Sequence, residues 1–307
     1  MDKASAPTAP RGGWLFGNAY LLLTLTMLSW GGNAVAGRMA VGEVSPMALT
    51  MLRWAGVAVL LALFARRPVR TEWPVLRRHL PFLFALGLIG FTIFNALFYV
   101  AAHSTAAINI GIIQGSIPVF VLLGAYAAYR TPVTGLQTAG VAVTMIGVVL
   151  VAAQGDVARL AELAFNKGDL LMVLACLLYA GYTVALRKRP AVSGLAMFSV
   201  MAACALLTTV PLVAAEAVLG TLVWPTPKGW AILGFVSLFP SFLAQIFFLR
   251  SVELVGPGRA GLFVNLVPIF SALLAVLILG ERFQLYHALA LVLVLVGIAL
   301  AERLRRA

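Results

Sequence analysis

The sequence predicts an all-α integral membrane protein of ten transmembrane helices, arranged as two inverted five-helix repeats. Three observations carry this. Hydrophobic residues make up 62% of the chain and charged ones 10%, with a mean hydropathy of +1.02, whereas an ordinary soluble domain is about 25% charged. The apolar residues gather into runs of about 20, long enough for a helix to cross a hydrocarbon layer of about 30 Å. The second half also repeats the first. At an offset of 150, Gly111, Pro118 and Phe120 fall on Gly261, Pro268 and Phe270, and Gln137 and Gly147 fall on His287 and Gly297. At an offset of 149, Trp30-Gly-Gly-Asn-Ala-Val-Ala-Gly-Arg38 falls on Tyr179-Ala-Gly-Tyr-Thr-Val-Ala-Leu-Arg187.

Residues 1–17 form a polar, Pro/Ala-rich lead, read as a cytoplasmic tail. The apolar run that follows is too long for a signal peptide and has no small-residue cleavage site before the next polar break. The expected spans are 18–40, 46–65, 79–102, 104–129 and 134–153 in the first repeat (18–153). In the second (168–303) they are 168–186, 192–219, 228–249, 256–279 and 284–303, with 154–167 as a periplasmic linker. The connections near His103 and Gln284 are so short that their flanking helices must be antiparallel hairpins. Span nine carries Pro268 in its middle, and span four carries Pro118 at the equivalent place. A proline there removes a helix hydrogen bond, which lipid tolerates only where a neighbour or a wet cavity satisfies the freed carbonyl.

Orientation follows from basic residues. Sixteen Lys and Arg lie on the side that holds both termini and five on the other, which places both ends in the cytoplasm. The net charge of +12 is thereby explained by membrane topology, with no nucleic-acid partner. An odd number of spans per half turns the second half upside down, a common build in carriers that alternate access around a midplane site. Cys176 and Cys204 lie inside apolar helices and read as small buried hydrophobes.

Polar residues recur at helical spacing. Thr26, Trp30, Asn33 and Gly37 share a face of span one, and Phe91, Asn95, Tyr99 and His103 a face of span three. Span four places Asn109 and Ser116 on one stripe, with Gln114 apart from it. Span six offers Tyr179 and Tyr182, span eight Ser237, Ser241 and Gln245, and span nine Asn265. An amide facing lipid is costly, so these faces point inward. Singly, each reads as helix–helix glue. Recurrence on six helices favours a shared cavity lined by Trp30, Asn33, Asn95, Tyr99, Gln114, Tyr179, Tyr182, Gln245 and Asn265. Such a cavity has aromatic walls, amide hydrogen-bonders and little fixed charge, and it suits a zwitterion or a neutral, partly apolar solute.

Pro118 and Pro268 read equally well as hinges or as fixed kinks. Arg53, in span two, has Met201 as its counterpart. It either binds a substrate carboxylate or latches a gate, or it snorkels outward or pairs with Glu43, the plainer reading and the favoured one. Acids are scarce within the spans, since Asp169, Glu216 and Glu253 fall near helix ends. That points to facilitated diffusion or exchange rather than obligate proton coupling. His79, His103 and His287 are scattered, with no metal or nucleophile set, so neither an enzyme nor a metal or other cofactor is expected. No Walker-type loop supplies an ATP engine.

Three motifs together identify a family resemblance: the run from Gly258 to Pro268 that ends in Leu279-Gly-Glu-Arg282, Trp30-Gly-Gly-Asn33, and Leu52-Arg53-Trp54. The chain resembles the EamA family of the drug/metabolite transporter (DMT) superfamily over nearly its whole length. The resemblance implies a ten-helix carrier of the bacterial inner membrane whose partners are a small solute and the bilayer. One departure is Glu281, whose counterpart in the first half is Thr131, so Glu281 reads as a helix-end device. The neutral, aromatic-rich cavity resembles that of YddG-type exporters of aromatic and other neutral amino acids. A flippase for a lipid or lipid-linked metabolite is the alternative, since the same bundle with a side opening would serve it. Spans five and ten would brace the periphery, leaving monomer and homodimer both open.

Overall fold

The computed structural model describes residues 14–156 and 166–302. Most of the tail expected over 1–17 and of the linker over 154–167 lies outside the described residues. After a short turn at Trp14–Gly17, the first repeat holds α1 (Ala19–Met39), α2 (Pro46–Phe64), α3 (Arg66–Ala101), α4 (Ala107–Tyr129) and α5 (Gly135–Ala152). The second holds α6 (Lys167–Lys188), α7 (Gly194–Val218), α8 (Pro227–Val255), α9 (Arg259–Leu279) and α10 (Leu285–Glu302). Among the described residues nine helices are long and apolar enough to cross a membrane, and the apolar stretch of the tenth, Leu285–Leu300, is shorter.

The helices start where polar side chains can satisfy free backbone N–H groups. Asn18 caps α1 (Leu21 N to Oδ1, 3.1 Å), and Thr134 with Gln137 forms a capping box on α5. Asn166, Ser193 and Thr226 cap α6, α7 and α8. Two other starts, and that of α7 a second time, are closed by a carboxylate reaching across from elsewhere in the chain. Glu216, near the end of α7, accepts from Met47 N (3.0 Å), Ala48 N (3.3 Å) and Ser45 Oγ (2.6 Å) at the start of α2. Glu281, between α9 and α10, accepts from Ala107 N (2.8 Å) and Ile108 N (3.0 Å) at the start of α4. Glu72 accepts from Ser193 N (2.8 Å) and Oγ (3.0 Å) before α7.

That last contact goes with a correction. The basic stretch 66–78 was expected as a connection, but it is helical, an α segment Arg66–Leu76 running through a 3-10 turn Arg77–His79 into the rest of α3. Leu76 alone of this segment is fully buried, and Glu72 ties it to the base of α7. α8 also runs on to Val255, beyond the expected end at 249.

The duplication is written into irregularities of the backbone. A π-helical segment interrupts α3 at Leu88–Ile93 and α8 at Ser237–Leu243. In α4 and α9 the helix breaks just before the prolines, so that Pro118 and Pro268 are each the second residue of a fresh segment, Ile117–Tyr129 and Val267–Leu274. There the missing N–H is one the helix start leaves unbonded anyway. Both helices then end in a left-handed residue, Arg130 (φ 52°) and Gly280 (φ 66°).

The halves interlock. α1 packs on α8 and α9 of the second half, α6 packs on α3 and α4 of the first, and α2 with α7, α4 with α9 and α5 with α10 close the bundle. The α5–α10 crossing depends on Gly147 and Gly297. A Cβ on Gly147 would stand 3.0 Å from Ala290 O and from a Val294 methyl, and one on Gly297 would stand 2.6 Å from Gly140 O and 2.7 Å from Thr144 N. Late residues of each helix thus meet early residues of the other, so the two helices run antiparallel.

Candidate functional site

Four helices drawn from both halves meet at Arg53. It lies two turns into α2 and is 6% exposed. Its Nε donates to Ser241 Oγ of α8 (2.6 Å), and its Nη1 donates to Asn33 Oδ1 of α1 (3.1 Å) and to Tyr99 Oη of α3 (2.5 Å). The Tyr99 hydroxyl in turn donates to Asn33 Oδ1 (3.1 Å). The π segment of α8 sets the polarity of Ser241. Pro240, four residues after Val236, has no N–H to give it, and Val236 O takes the Ser241 hydroxyl hydrogen (2.5 Å), leaving the hydroxyl oxygen to accept from Arg53.

Arg53 therefore neither snorkels nor pairs with Glu43, as the plainer sequence reading had it. A Lys228–Glu43 pair (3.1 Å) and the Thr226 hydroxyl hold that carboxylate at the bundle end. Those two partners, Thr226 first, lower the Glu43 pKa below its ordinary value. Among the described residues no carboxylate forms an ion pair with Arg53. In a low-dielectric interior a cation whose partners are all neutral is a costly arrangement.

Aromatic rings surround this cluster. Trp54 stacks on Phe91 (centroids 4.6 Å apart, planes within 7°), and Phe91 meets Tyr182 and Phe198, each at 5.8 Å. Tyr179 lies 4.8 Å from Phe94 and 5.2 Å from Tyr182. The Arg53 guanidinium carbon stands 5.6 Å from the Trp54 ring and 5.8 Å from that of Tyr99, within cation–π range. A Cβ on Gly90, in the π segment of α3, would fall 2.5 Å from the Tyr182 ring, so only glycine admits this approach.

The structure thus brings together Asn33, Arg53 and Tyr99 of the expected set, with Tyr179 and Tyr182 among the surrounding rings and Asn95 one turn before Tyr99 on α3, bonded to none of them. Asn95 Nδ2 donates to Phe91 O (2.6 Å), while its Oδ1 is buried without a partner. Trp30 bonds none of these residues; it donates from Nε1 to the carbonyl oxygen of Pro240, the residue before Ser241 (3.1 Å), and lies against Phe248 (5.4 Å). Gln114 Oε1 and Asn265 Oδ1 are buried with no partner, and Gln245 is half-buried; none of the three bonds to the Arg53 cluster. Sequence reasoning did not single out Trp54, although it adjoins Arg53 in the Leu52-Arg53-Trp54 motif.

A second polar cluster lies nearer one end of the bundle. Asp169, in the first turn of α6 and wholly enclosed, accepts from the Thr105 hydroxyl and from Asn109 Nδ2 (3.2 Å). His287 Nδ1 accepts from Gln284 N (2.9 Å), so its Nε2 carries the hydrogen and donates to Asn109 Oδ1 (3.1 Å). The helix start favours the anion there. The sequence put Asp169 at a helix end but gave no sign of its enclosure. Beside it opens a cleft of about 510 Å³ lined by Arg38, His103, Asn109 and Glu281 among others. A second cleft, of about 490 Å³, shares His103 and is walled by Ser45 and Glu216. Among the described residues no group of three or more His, Cys, Asp or Glu side chains is arranged to hold a metal ion.

Long apolar helices around a buried polar centre define a multi-pass membrane protein. The model of the EamA-like transporter family matches the chain twice, over residues 17–153 and 166–302, and the chain belongs to that family. It is a membrane transporter by membership, and its relatives carry matching names. It is 25% identical over 293 residues to "Uncharacterized transporter YyaM" of Bacillus subtilis, covering 93% of each chain. It is 26% identical over 291 residues to an "Uncharacterized transporter" of Archaeoglobus fulgidus, covering 92% of this chain and 96% of that one. A solved structure titled "Crystal structure of protein" shares the fold at a TM-score of 0.62 and 22% identity, covering 94% of this chain and 97% of that chain.

Proposed function

We propose that the protein is a carrier of the bacterial inner membrane that exports amino acids, aromatic and other neutral ones, or similar small metabolites, by alternating access. The observation that carries this reading is the Arg53 cluster. Asn33, Arg53 and Tyr99 come from the first half and Ser241 from the second, so any shift of one half against the other remakes the site. The antiparallel register of α5 and α10, the fifth helices of their repeats, supports two inverted halves and ten crossings. The breaks ahead of Pro118 and Pro268 are the proposed hinges. The cytoplasmic placing of both termini rests on the distribution of Lys and Arg.

Transport follows the solute's own gradient, because the buried acid Asp169 is tied to Thr105 and Asn109 rather than to the Arg53 cluster. Alanine at Asn33 or Tyr99 is expected to reduce flux of radiolabelled amino acids in liposomes while the protein stays folded. Wild-type flux in both variants would contradict the site.

A further inference from the structure

Buried polar atoms without partners gather around Arg53. Six side-chain N or O atoms among the described residues are buried and unbonded, and three of them belong to this neighbourhood: Trp54 Nε1, Asn95 Oδ1 and Ser237 Oγ. Trp54 is the next residue in α2 and stacks on Phe91, whose carbonyl holds Asn95. Asn95 lies one turn before Tyr99 on α3. Ser237 Oγ would stand 3.1 Å from a Cβ on Gly56, less than one turn along α2 from Arg53. Arg53 itself uses Nε and Nη1 on three neutral acceptors; among the described residues its Nη2 donates to none, although it is not one of the six enclosed atoms.

Burying a guanidinium that has only neutral partners, together with orphan donors and acceptors, disfavours folding unless another molecule completes the set. The set is chemically asymmetric. Arg53 Nη2 and Trp54 Nε1 offer hydrogens beside a fixed positive charge, which suits an anion. Asn95 Oδ1, an uncharged acceptor one helical turn away from Tyr99, suits an ammonium. With one cation only, the site matches the single charge of a carboxylate rather than a phosphate dianion, and Phe91 and Tyr182 supply an apolar face.

We propose that this pocket, collapsed in the present conformation, is the head-group site of a carboxylate-bearing solute. Arg53 and Trp54 hold the carboxylate and Asn95 receives the ammonium of a zwitterion. The proposal rests on the carrier reading and deepens it, turning Arg53 from a gate candidate into the anchor of the substrate.

The test compares three probes of one shape on the purified protein in detergent: L-phenylalanine, 3-phenylpropionate (no ammonium) and 2-phenylethylamine (no carboxylate). Binding is read as the shift in thermal unfolding, and L-phenylalanine counterflow is followed in liposomes. Wild type should bind L-phenylalanine most tightly, 3-phenylpropionate less tightly and 2-phenylethylamine not at all. Loss of a bond to a charged partner weakens binding roughly tenfold or more, so Arg53→Gln should lose both carboxylates and Trp54→Phe should weaken both. Asn95→Leu should erase the preference for L-phenylalanine over 3-phenylpropionate.

Equal binding of the amine, or of L-phenylalanine by Arg53→Gln, overturns the assignment. If Arg53→Gln does not fold, the wild-type probe series and Trp54→Phe still decide. Binding without counterflow would leave the site standing and remove the carrier reading. Uptake of a carboxylate-free probe such as uridine, with no response to either carboxylate, would do the reverse.

Discussion

Glu216 should be one of the most costly acids to remove, although it bonds no member of the Arg53 cluster. Its carboxylate accepts from Ser45 Oγ, Met47 N and Ala48 N, at 2.6, 3.0 and 3.3 Å. It thereby seals the start of α2, where Ser45 makes no capping bond of its own. A hydrogen bond to a charged group contributes about 1.5–3 kcal/mol, and an N-cap about 1 kcal/mol. The three do not add in full, because Glu216 is 9% exposed and borders the 490 Å³ cleft, from which water can reach the freed N–H groups. Glu216→Ala should therefore cost about 2–3 kcal/mol, and Glu216→Gln, which keeps one acceptor, about 1–2 kcal/mol. By the scaling for domains of somewhat smaller size, the alanine variant should unfold roughly 5–10 °C lower. The assay is thermal unfolding with a thiol-reactive dye, since Cys176 and Cys204 are both buried and report loss of packing. A midpoint within about 1 °C of wild type for Glu216→Ala would refute the reasoning that this carboxylate holds α2.

Gly297→Leu should push α10 off α5 and cost about 1–3 kcal/mol, and Gly147→Leu should do much the same because the contacts are reciprocal; wild-type unfolding midpoints for both would contradict the crossing. Tyr99→Phe removes the hydroxyl that links Arg53 to Asn33, so flux should fall by about tenfold, the weight of one bond to a charged group, and by the same rule the unfolding midpoint should drop by a few degrees; unaltered flux would take Tyr99 out of the path. Thr226 and Lys228 hold the Glu43 pKa below 4.5. The folded state therefore takes up this proton at lower pH than the unfolded chain, and the contribution is present above that ordinary value and lost as pH falls through the lowered one. Glu43→Gln should flatten the acid limb of the unfolding midpoint plotted against pH, and identical acid limbs would count against the pairing.

The long apolar runs, the repeat and the break near each proline were legible because length, hydropathy and a constant offset are properties of the chain itself. The π segment at Leu88–Ile93 was not, since it contains no proline and its one special residue, Gly90, owes its role to the Tyr182 ring of another helix. The helix at Arg66–Leu76 was hidden by its prolines and arginines, which resemble a loop until Glu72 is seen bonding Ser193. Arg53 shows the limit most sharply. Its place two turns into α2 could be counted from Pro46, but its partners lie 20, 46 and 188 positions away in sequence. No periodicity reveals that all three are neutral. Glu216 and Glu281 likewise act on helices whose starts lie far from them in the chain. Trp30 had the right spacing for a cavity wall, but spacing gave no sign that its indole bonds a carbonyl in the π segment of α8.

The most direct measurement is flux in liposomes holding the purified protein, with radiolabelled L-phenylalanine and L-leucine loaded in parallel, with and without a pH gradient. The account predicts saturable flux down the amino-acid gradient, indifferent to the pH gradient and lost in Arg53→Gln. Flux no greater than in protein-free liposomes for either amino acid would contradict it.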